Sequence, residues 1–410
     1  MRILIVSQYF WPENFRVNDL SADLVERGHS VTVLAGLPNY PDGVVFPDYL
    51  ADPGAFAAYR GADVVRVPLL PRGNGGLQLM LNYLSFAVTA SLLGPFKLRG
   101  RPFDAIFVFQ GSPVTVGFPA IVLKWLKKAP IALWVLDLWP QSLKAVGAVQ
   151  SGFVLGMIDR LVTFIYRNCD MVLGQSRSFL PELTRHVVDP KKVSYLPSWS
   201  DATPEQSAPL TPAAEVEQRQ DQFSIVFTGN IGEAQDFGAV LEAAELLREQ
   251  AVRWIIVGDG RQADWLRSQI VARGLTEQVV MPGRFPLERM PSFFAHADAL
   301  LVCLKASPVF AMTIPGKVQS YLAAGLPILA MLDGEGAAVI KASKAGYAAP
   351  AGDAAALAQS VRDLMALPPA ERHRMGQLGA EYAAKEFDRN TLLSRIETTL
   401  SDLANRRTDR

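Results

Sequence analysis

Ile225-Val-Phe-Thr-Gly229-Asn-Ile-Gly232-Glu-Ala-Gln-Asp236 is an apolar run of strand length that stops at a glycine turn and restarts as a helix. An unbroken apolar run between turn signals is how a strand buried on both faces of a parallel sheet reads. Farther along, Ile314-Pro-Gly-Lys317-Val-Gln-Ser-Tyr-Leu-Ala-Ala-Gly325-Leu-Pro327 places a lysine at a helix start and leads into another strand. A turn without side chains beneath a helix N-terminus offers N–H groups and a positive dipole end to phosphate. A lysine at a second helix start adds a full charge. Gly229, Asn230, Ile231, Gly232 and Lys317 are therefore expected to seat a diphosphate. Few charged residues surround Lys317 between Lys305 and Asp333, and a lysine in apolar surroundings calls for an anionic partner.

The same rhythm of apolar run and helical pattern extends over both halves of the chain. Strands are expected at Ile3–Val6, Val31–Leu34, Val64–Val67, Ile106–Phe109, Ile131–Val135, Met171–Leu173 and Val193–Leu196, with helices between them. Pro197-Ser-Trp-Ser-Asp and the stretch from Thr203 to Asp221 carry Pro, Ala, Gln and Glu without an apolar period, the mark of a linker. Alternation resumes at Ile225–Phe227, Trp254–Val257, Val279–Met281, Ala299–Val302, Ile328–Met331 and Tyr347–Ala349. The expected fold is α/β, two doubly wound Rossmann-like domains whose parallel sheets face an interdomain cleft, where open α/β sheets bind ligands.

A chain of 410 residues suits two domains better than one. Lys+Arg and Asp+Glu are both 40, which argues against a nucleic-acid partner, since that needs a concentrated basic surface. Cys169 and Cys303 are too few for a disulfide framework or a zinc site and read as buried thiols, in keeping with a cytoplasmic protein. Leu77 to Phe96 runs twenty residues without a charge and is followed by Lys97, Arg99 and Arg101. Gln78, Asn82, Ser85 and Thr89 fall on one stripe of that helix. It can pack wholly inside its domain, expose an apolar face to a bilayer surface, or span a membrane. Gly94-Pro95 closes the segment, against a span, and a mean hydropathy of +0.15 for the whole chain favours surface docking.

Other motifs are less specific. Val257-Gly258-Asp-Gly260-Arg-Gln-Ala263 fits the dinucleotide fingerprint, but it follows the second strand of its half and no acid ends the next one, so a tight strand-to-helix turn is the default. Asp137, in Leu133-Trp-Val-Leu-Asp-Leu-Trp-Pro140, ends a strand; it can bond a sugar hydroxyl, help activate an acceptor or cap a helix. Glu13, Asn14 and Arg16 follow the first strand and either line an acceptor side or cap the first helix. Glu335, in Asp333-Gly-Glu-Gly336, is a candidate ribose or sugar ligand. No D-x-D occurs, the four histidines lack ligand spacing, and no G-x-S-x-G is present, so no metal is expected and no hydrolytic triad is signalled.

Ser7-Gln-Tyr-Phe-Trp-Pro-Glu-Asn-Phe15, Gly28-His-Ser-Val-Thr-Val33, Leu136-Asp-Leu-Trp-Pro140, Leu196-Pro-Ser-Trp-Ser200, Thr228-Gly-Asn-Ile-Gly-Glu233 and Ile314-Pro-Gly-Lys317 give the chain its family likeness. It resembles the retaining glycosyltransferases of family 4, with the GT-B fold, and within them the fucosamine-transferase type of bacterial O-antigen, capsule and colanic-acid synthesis. The resemblance implies an acceptor-binding domain over 1–200, a linker over 201–222, a nucleotide-sugar domain over 223–388, and a last helix over 389–410 that packs back on the first domain. It implies a donor, UDP-sugar or GDP-sugar, with its base against Gly258, Gly260, Arg284 and Phe285, and no other cofactor. The implied acceptor is a saccharide on polyprenyl diphosphate at the cytoplasmic face of the inner membrane. Lys317 and Asp137 are the implied catalytic residues, and the leaving phosphate itself takes the acceptor's proton.

Two departures stand out. Where many members carry Arg and Lys in the turn after the first strand of the second domain, this chain has Asn230 and Gln235. The family's glutamate pair with seven residues between is absent, its second member falling at Ser320. Gln319, Ser320 or Glu335 is expected to replace the ribose ligand. A non-catalytic nucleotide-sugar-binding subunit, or an epimerase or hydrolase of the same fold, remains the alternative.

Overall fold

A computed structural model describes residues 1–73, 75–145, 149–200, 211–219 and 221–408. The chain forms two units, one of Met1–Pro197 with Asn390–Arg410 and one of Ser198–Arg389. The first holds strands β1 (Arg2–Val6), β2 (Ser30–Gly36), β3 (Ala58–Tyr59), β4 (Ala62–Val67), β5 (Ala105–Gln110), β6 (Ile131–Val135), β7 (Met171–Gly174) and β8 (Val193–Tyr195). They lie in the order β3-β4-β2-β1-β5-β6-β7-β8. All pairs are parallel except β3 with β4. Two-residue β3 carries no periodicity and is invisible in the sequence.

The second unit holds β9 (Phe223–Thr228), β10 (Val252–Val257), β11 (Val279–Gly283), β12 (Ala299–Cys303), β13 (Ile328–Met331) and β14 (Gly346–Ala349). Their order is β11-β10-β9-β12-β13-β14, every pair parallel. Successive side chains point to opposite faces, and both faces are packed. Ile225, Phe227, Trp254 and Ile256 enter one core, while Val226, Ile255 and Val257 enter the other. That is why these strands read as solid apolar runs instead of alternating ones. Of the stretch expected to be a linker, 201–210 and 220 lie outside the described residues. Residues 211–219 lie on the second unit: Ala213 and Val216 join its core, and the Ala213 N–H donates to the Ser292 carbonyl at 2.9 Å.

The apolar segment near residue 80 is the helix Gly76–Lys97; of its polar stripe Asn82, Ser85 and Thr89 bond to the first unit, while Gln78 is exposed. Asn82 is fully buried; its Oδ1 accepts from Gln8 Nε2 at 2.7 Å, and its Nδ2 donates to the Leu70 carbonyl. Ser85 Oγ accepts from the Leu70 N–H, and Thr89 Oγ1 donates to the Pro68 carbonyl. The opposite side exposes Leu77, Met80, Leu81, Leu84, Val88, Leu92, Leu93 and Phe96, so the helix is not wholly packed inside its unit.

Candidate active site

In the second unit the sheet grows to one side of β9 through β10 and β11 and to the other through β12, which makes a switch point at the C-terminal ends of β9 and β12. Open α/β sheets take ligands at that place. β9 runs into Gly229, β10 into Gly258, and β11 ends on Gly283, with φ of +127°, +150° and +104°. A Cβ on Gly258 would lie 1.8 Å from the Gly229 carbonyl oxygen, and one on Gly260 would lie 2.3 Å from that of Ile231. The Gly229 N–H donates to the Val257 carbonyl, the Ile231 N–H to Asp259 and the Gly258 N–H to Gly283, each at 2.8 Å. Three neighbouring strand ends thus form a floor of bare main chain.

This packing spends N–H groups that the sequence suggested for phosphate. Those of Gly229 and Ile231 are used within the floor, and that of Gly232 donates to Gln235 Oε1 at 3.0 Å. Over 229–235, the N–H groups of Asn230, Glu233 and Ala234 are the ones with no protein acceptor among the described residues. The turn still offers donors, but not at the glycines.

Lys317 lies in the first turn of the helix Gly316–Ala323. Its Cε and Nζ come within 2.7 and 2.9 Å of where a Cβ on Gly229 would sit, and its Nζ is 4.7 Å from the centroid of the Phe227 ring. The side chain is half-buried, and burial lowers its pKa, with the neighbouring Cys303 thiol acting in the opposite sense. It forms no ion pair among the described residues. A partly desolvated cation without a counter-ion, set against an exposed turn, is an arrangement that an anion completes.

Tyr321, one helical turn after Lys317, gave no functional signal in the sequence beyond that spacing. Its buried hydroxyl accepts from the Thr228 N–H at 2.9 Å and donates to the Thr228 carbonyl oxygen at 3.3 Å; burial pushes its pKa up to about 12. The phenol ties the lysine helix to the last residue of β9, and so fixes where the ammonium stands over Gly229. Tyr321→Phe should lower kcat roughly tenfold with KM little changed, the cost of about 1 kcal/mol or slightly more of lost hydrogen bonding expressed in positioning. Steady-state kinetics beside a melting curve checks it; a lower Tm with unchanged kcat would leave Tyr321 a structural residue only.

The other expected donor residues divide. Arg284 is exposed at the end of β11, and Phe285 packs on Phe293 with ring centroids 4.8 Å apart. Glu335 lies in the first turn of the helix Gly334–Ser343, whose Gly336 would place a Cβ 3.3 Å from Pro315 Cδ; that helix start therefore abuts the lysine loop. Gln319 does not join them. It is 1% exposed, and its Nε2 donates to the Ser198 carbonyl at 2.8 Å. Ser320 Oγ donates to the Gly316 carbonyl within its own helix. Among the described residues no group of three His, Cys, Asp or Glu is placed to hold a metal ion.

In the first unit the switch point lies between β1 and β5. Asp137 follows β6; its Oδ2 accepts from Trp139 Nε1 at 3.0 Å, and Gln110 Nε2 donates to its main-chain carbonyl at 2.7 Å. Burial raises the Asp137 pKa, against hydrogen bonds from Ser142, Trp139 and Ser112 that lower it. Glu13 is placed otherwise than an acceptor ligand needs. It is buried, and its carboxylate accepts the N–H groups of Phe10, Asn39 and Tyr40 at 3.0, 2.8 and 2.8 Å. It braces the loops after β1 and β2, while burial raises its pKa. Asn14 is exposed, Arg16 is the first residue of the helix Arg16–Glu26, and it is Asn18 that holds the loop, accepting from the Trp11 N–H.

Comparison with known proteins agrees with this architecture. A family model described as "Glycosyl transferase 4-like domain" matches residues 14–199, and one described as "Glycosyl transferases group 1" matches 222–366. The chain belongs to this family, the GT-B glycosyltransferases of family 4. It is 28% identical over 343 residues to the "Putative colanic acid biosynthesis glycosyl transferase WcaI" of Escherichia coli (strain K12), covering 79% of this chain and 82% of that one. It is 25% identical to the "Probable glycosyltransferase WbjE" of Pseudomonas aeruginosa, covering 71% and 75%. Anabaena HepE, solved in complex with UDP and glucose, matches with a TM-score of 0.66 over 98% of this chain and 99% of its own, at 15% identity. At that identity the likeness speaks for the fold.

Proposed function

We propose that the protein moves a sugar from a nucleotide-diphosphate donor to a lipid-linked saccharide in bacterial surface-polysaccharide synthesis, with retention of configuration. The observation that carries this reading is the unpaired, half-buried Lys317 ammonium against the Gly229 turn, at the switch point of the second unit. The main-chain floor faces the nucleotide with the side chains of Lys317 and Asn230 beside it, and the structure of similar fold solved with UDP accords with a uridine nucleotide. The similarity to a putative colanic acid biosynthesis glycosyl transferase supports the surface-polysaccharide setting; the deoxy- or N-acetylamino-hexose such as fucosamine and the polyprenyl-diphosphate acceptor rest on the family resemblance alone. The apolar side of Gly76–Lys97 suits work at the cytoplasmic surface of the inner membrane.

In this mechanism negative charge develops on the departing diphosphate, and Lys317 with the free N–H groups of Asn230, Glu233 and Ala234 meets it. Glu335 and Arg284 hold the remainder of the donor. On the first unit, Asp137 orients the acceptor hydroxyl by a hydrogen bond and does not take its proton. The acceptor proton leaves on the phosphate, so no side-chain nucleophile is required.

The test is a panel of UDP- and GDP-sugars, each offered with and without a polyprenyl-diphosphate-linked saccharide. Nucleotide diphosphate should appear only when both substrates are present. Release from donor alone would make the protein a hydrolase. Thermal protection by a nucleotide sugar with no turnover for any acceptor would make it a binding subunit.

A further inference from the structure

Three helices of the first unit, Gly76–Lys97, Gly117–Lys127 and Gly152–Asn168, join successive parallel strands β4, β5, β6 and β7. Right-handed crossovers that move the same way along a sheet lie on one face of it, side by side and pointing the same way. Their contacts agree: Lys124 of the second helix donates to the Asn168 carbonyl of the third, and Phe118 and Phe164 have ring centroids 6.1 Å apart. All three expose large apolar side chains. Beside the eight on the first helix stand Trp125 (73% exposed) and Leu126 on the second, and Phe153 (82%), Met157 and Phe164 on the third. Phe153, Met157, Arg160, Phe164 and Arg167 step by four, three, four and three, a single outward stripe. Soluble monomers seldom expose a connected apolar area of this extent without a partner.

The charges around it identify the partner. The three helices contain one acidic residue, Asp159, which faces Arg185 and His186. Lys97, Arg99, Lys128, Arg160 and Arg167 are exposed, and none of them forms an ion pair among the described residues. Because the helices run the same way, Lys97, Arg99, Lys128 and Arg167 gather at their common C-terminal end. An apolar field with a cationic margin and no free acid fits an anionic lipid surface. The bonds of Asn82, Ser85 and Thr89 to Gln8, Leu70 and Pro68 keep the first helix in its unit, so the contact lies along the membrane plane.

We infer that these three helices together form one lipid-docking face for an anionic bilayer, with Trp125 and Phe153 as anchors outside the long helix. This rests on the proposed reading that the first unit works at a membrane, and extends it beyond Gly76–Lys97. The experiment is flotation of the full-length protein with phosphatidylglycerol-containing or pure phosphatidylcholine vesicles, at low and high salt. The wild type should float with the anionic vesicles, less so at high salt. Trp125→Ser/Phe153→Ser should bind at least about tenfold more weakly, as expected for two aromatic side chains kept from lipid. Lys97→Glu/Arg99→Glu should lose most of the salt dependence. If the double aromatic variant floats like wild type while Leu84→Ser/Val88→Ser does not, the three-helix face is overturned and the long helix alone docks. If the wild type floats with neither vesicle, the membrane reading itself fails. A dimer by light scattering that Trp125→Ser/Phe153→Ser converts to monomer would assign the face to a second copy of the chain and overturn the proposal.

Discussion

Lys317→Ala should lose at least about a hundredfold in turnover while melting no lower than wild type, the cost of removing one preorganised donor from a site where charge develops. The two halves of that result have one cause. Burial lowers the lysine's pKa, so the native state holds the ammonium at a loss that only an anion repays. Alanine removes the loss along with the function, and Tm should stay level or rise. The sign of the pH dependence follows. Between the lowered pKa and the ordinary lysine value the native chain binds fewer protons than the unfolded one, so the lysine's contribution to stability improves as pH rises through that window. Donor affinity runs the opposite way: bound diphosphate favours the proton, and affinity falls as pH rises past the lowered pKa. Calorimetric titration with UDP across that range should show the fall in wild type and its absence in Lys317→Ala. Turnover unaffected by the substitution would remove Lys317 from the site.

Gly258→Ala should be the most damaging single-methyl change in the second unit. Its Cβ would fall 1.8 Å from a main-chain oxygen, and φ of +150° is closed to an L side chain, so relief requires β9 and β10 to part at their C-terminal ends. A cost on the order of 3 kcal/mol is expected, roughly 10 °C in Tm for a unit of this size, with loss of UDP binding because the floor is displaced. Gly283→Ala is the matched comparison. It has a positive φ but no atom within 4 Å of its Cβ, so strain acts there without collision. Equal effects at both positions would mean that backbone strain alone, not the contact with Gly229, governs this part of the sheet.

The doubly wound plan was legible because both faces of each sheet are buried, which turns strands such as Phe223–Thr228 into unbroken apolar runs between turns. The same logic exposed the Gly229 turn and the lysine helix, since both sit where strand patterns stop. What escaped depends on contacts distant in sequence. Nothing in Ser7-Gln-Tyr-Phe-Trp-Pro-Glu shows that Glu13 will be consumed by N–H groups of Asn39 and Tyr40. Nothing around Gln319 shows that its amide will turn to Ser198. Tyr321 looked like one more apolar position of a short helix, because its value lies in reaching Thr228. Glycines were legible as turns, but not as partners: that Gly258 rests on Gly229 follows from which strands are neighbours, and strand order leaves no local mark.

Arg27 donates to Ser394 Oγ, Glu397 Oε2 and the Asn390 carbonyl, and His29 Nε2 lies 2.9 Å from Glu397 Oε1, so the helix Arg389–Thr408 belongs, from Asn390 on, to the first unit. A ribosome delivers Met1–Pro197 long before that helix, with all of the second unit's chain made in between. The earlier-born lobe must therefore wait, incompletely clad, until translation has passed its neighbour, and a nascent chain stalled before residue 390 should be markedly more open to protease near Arg27 than the released protein.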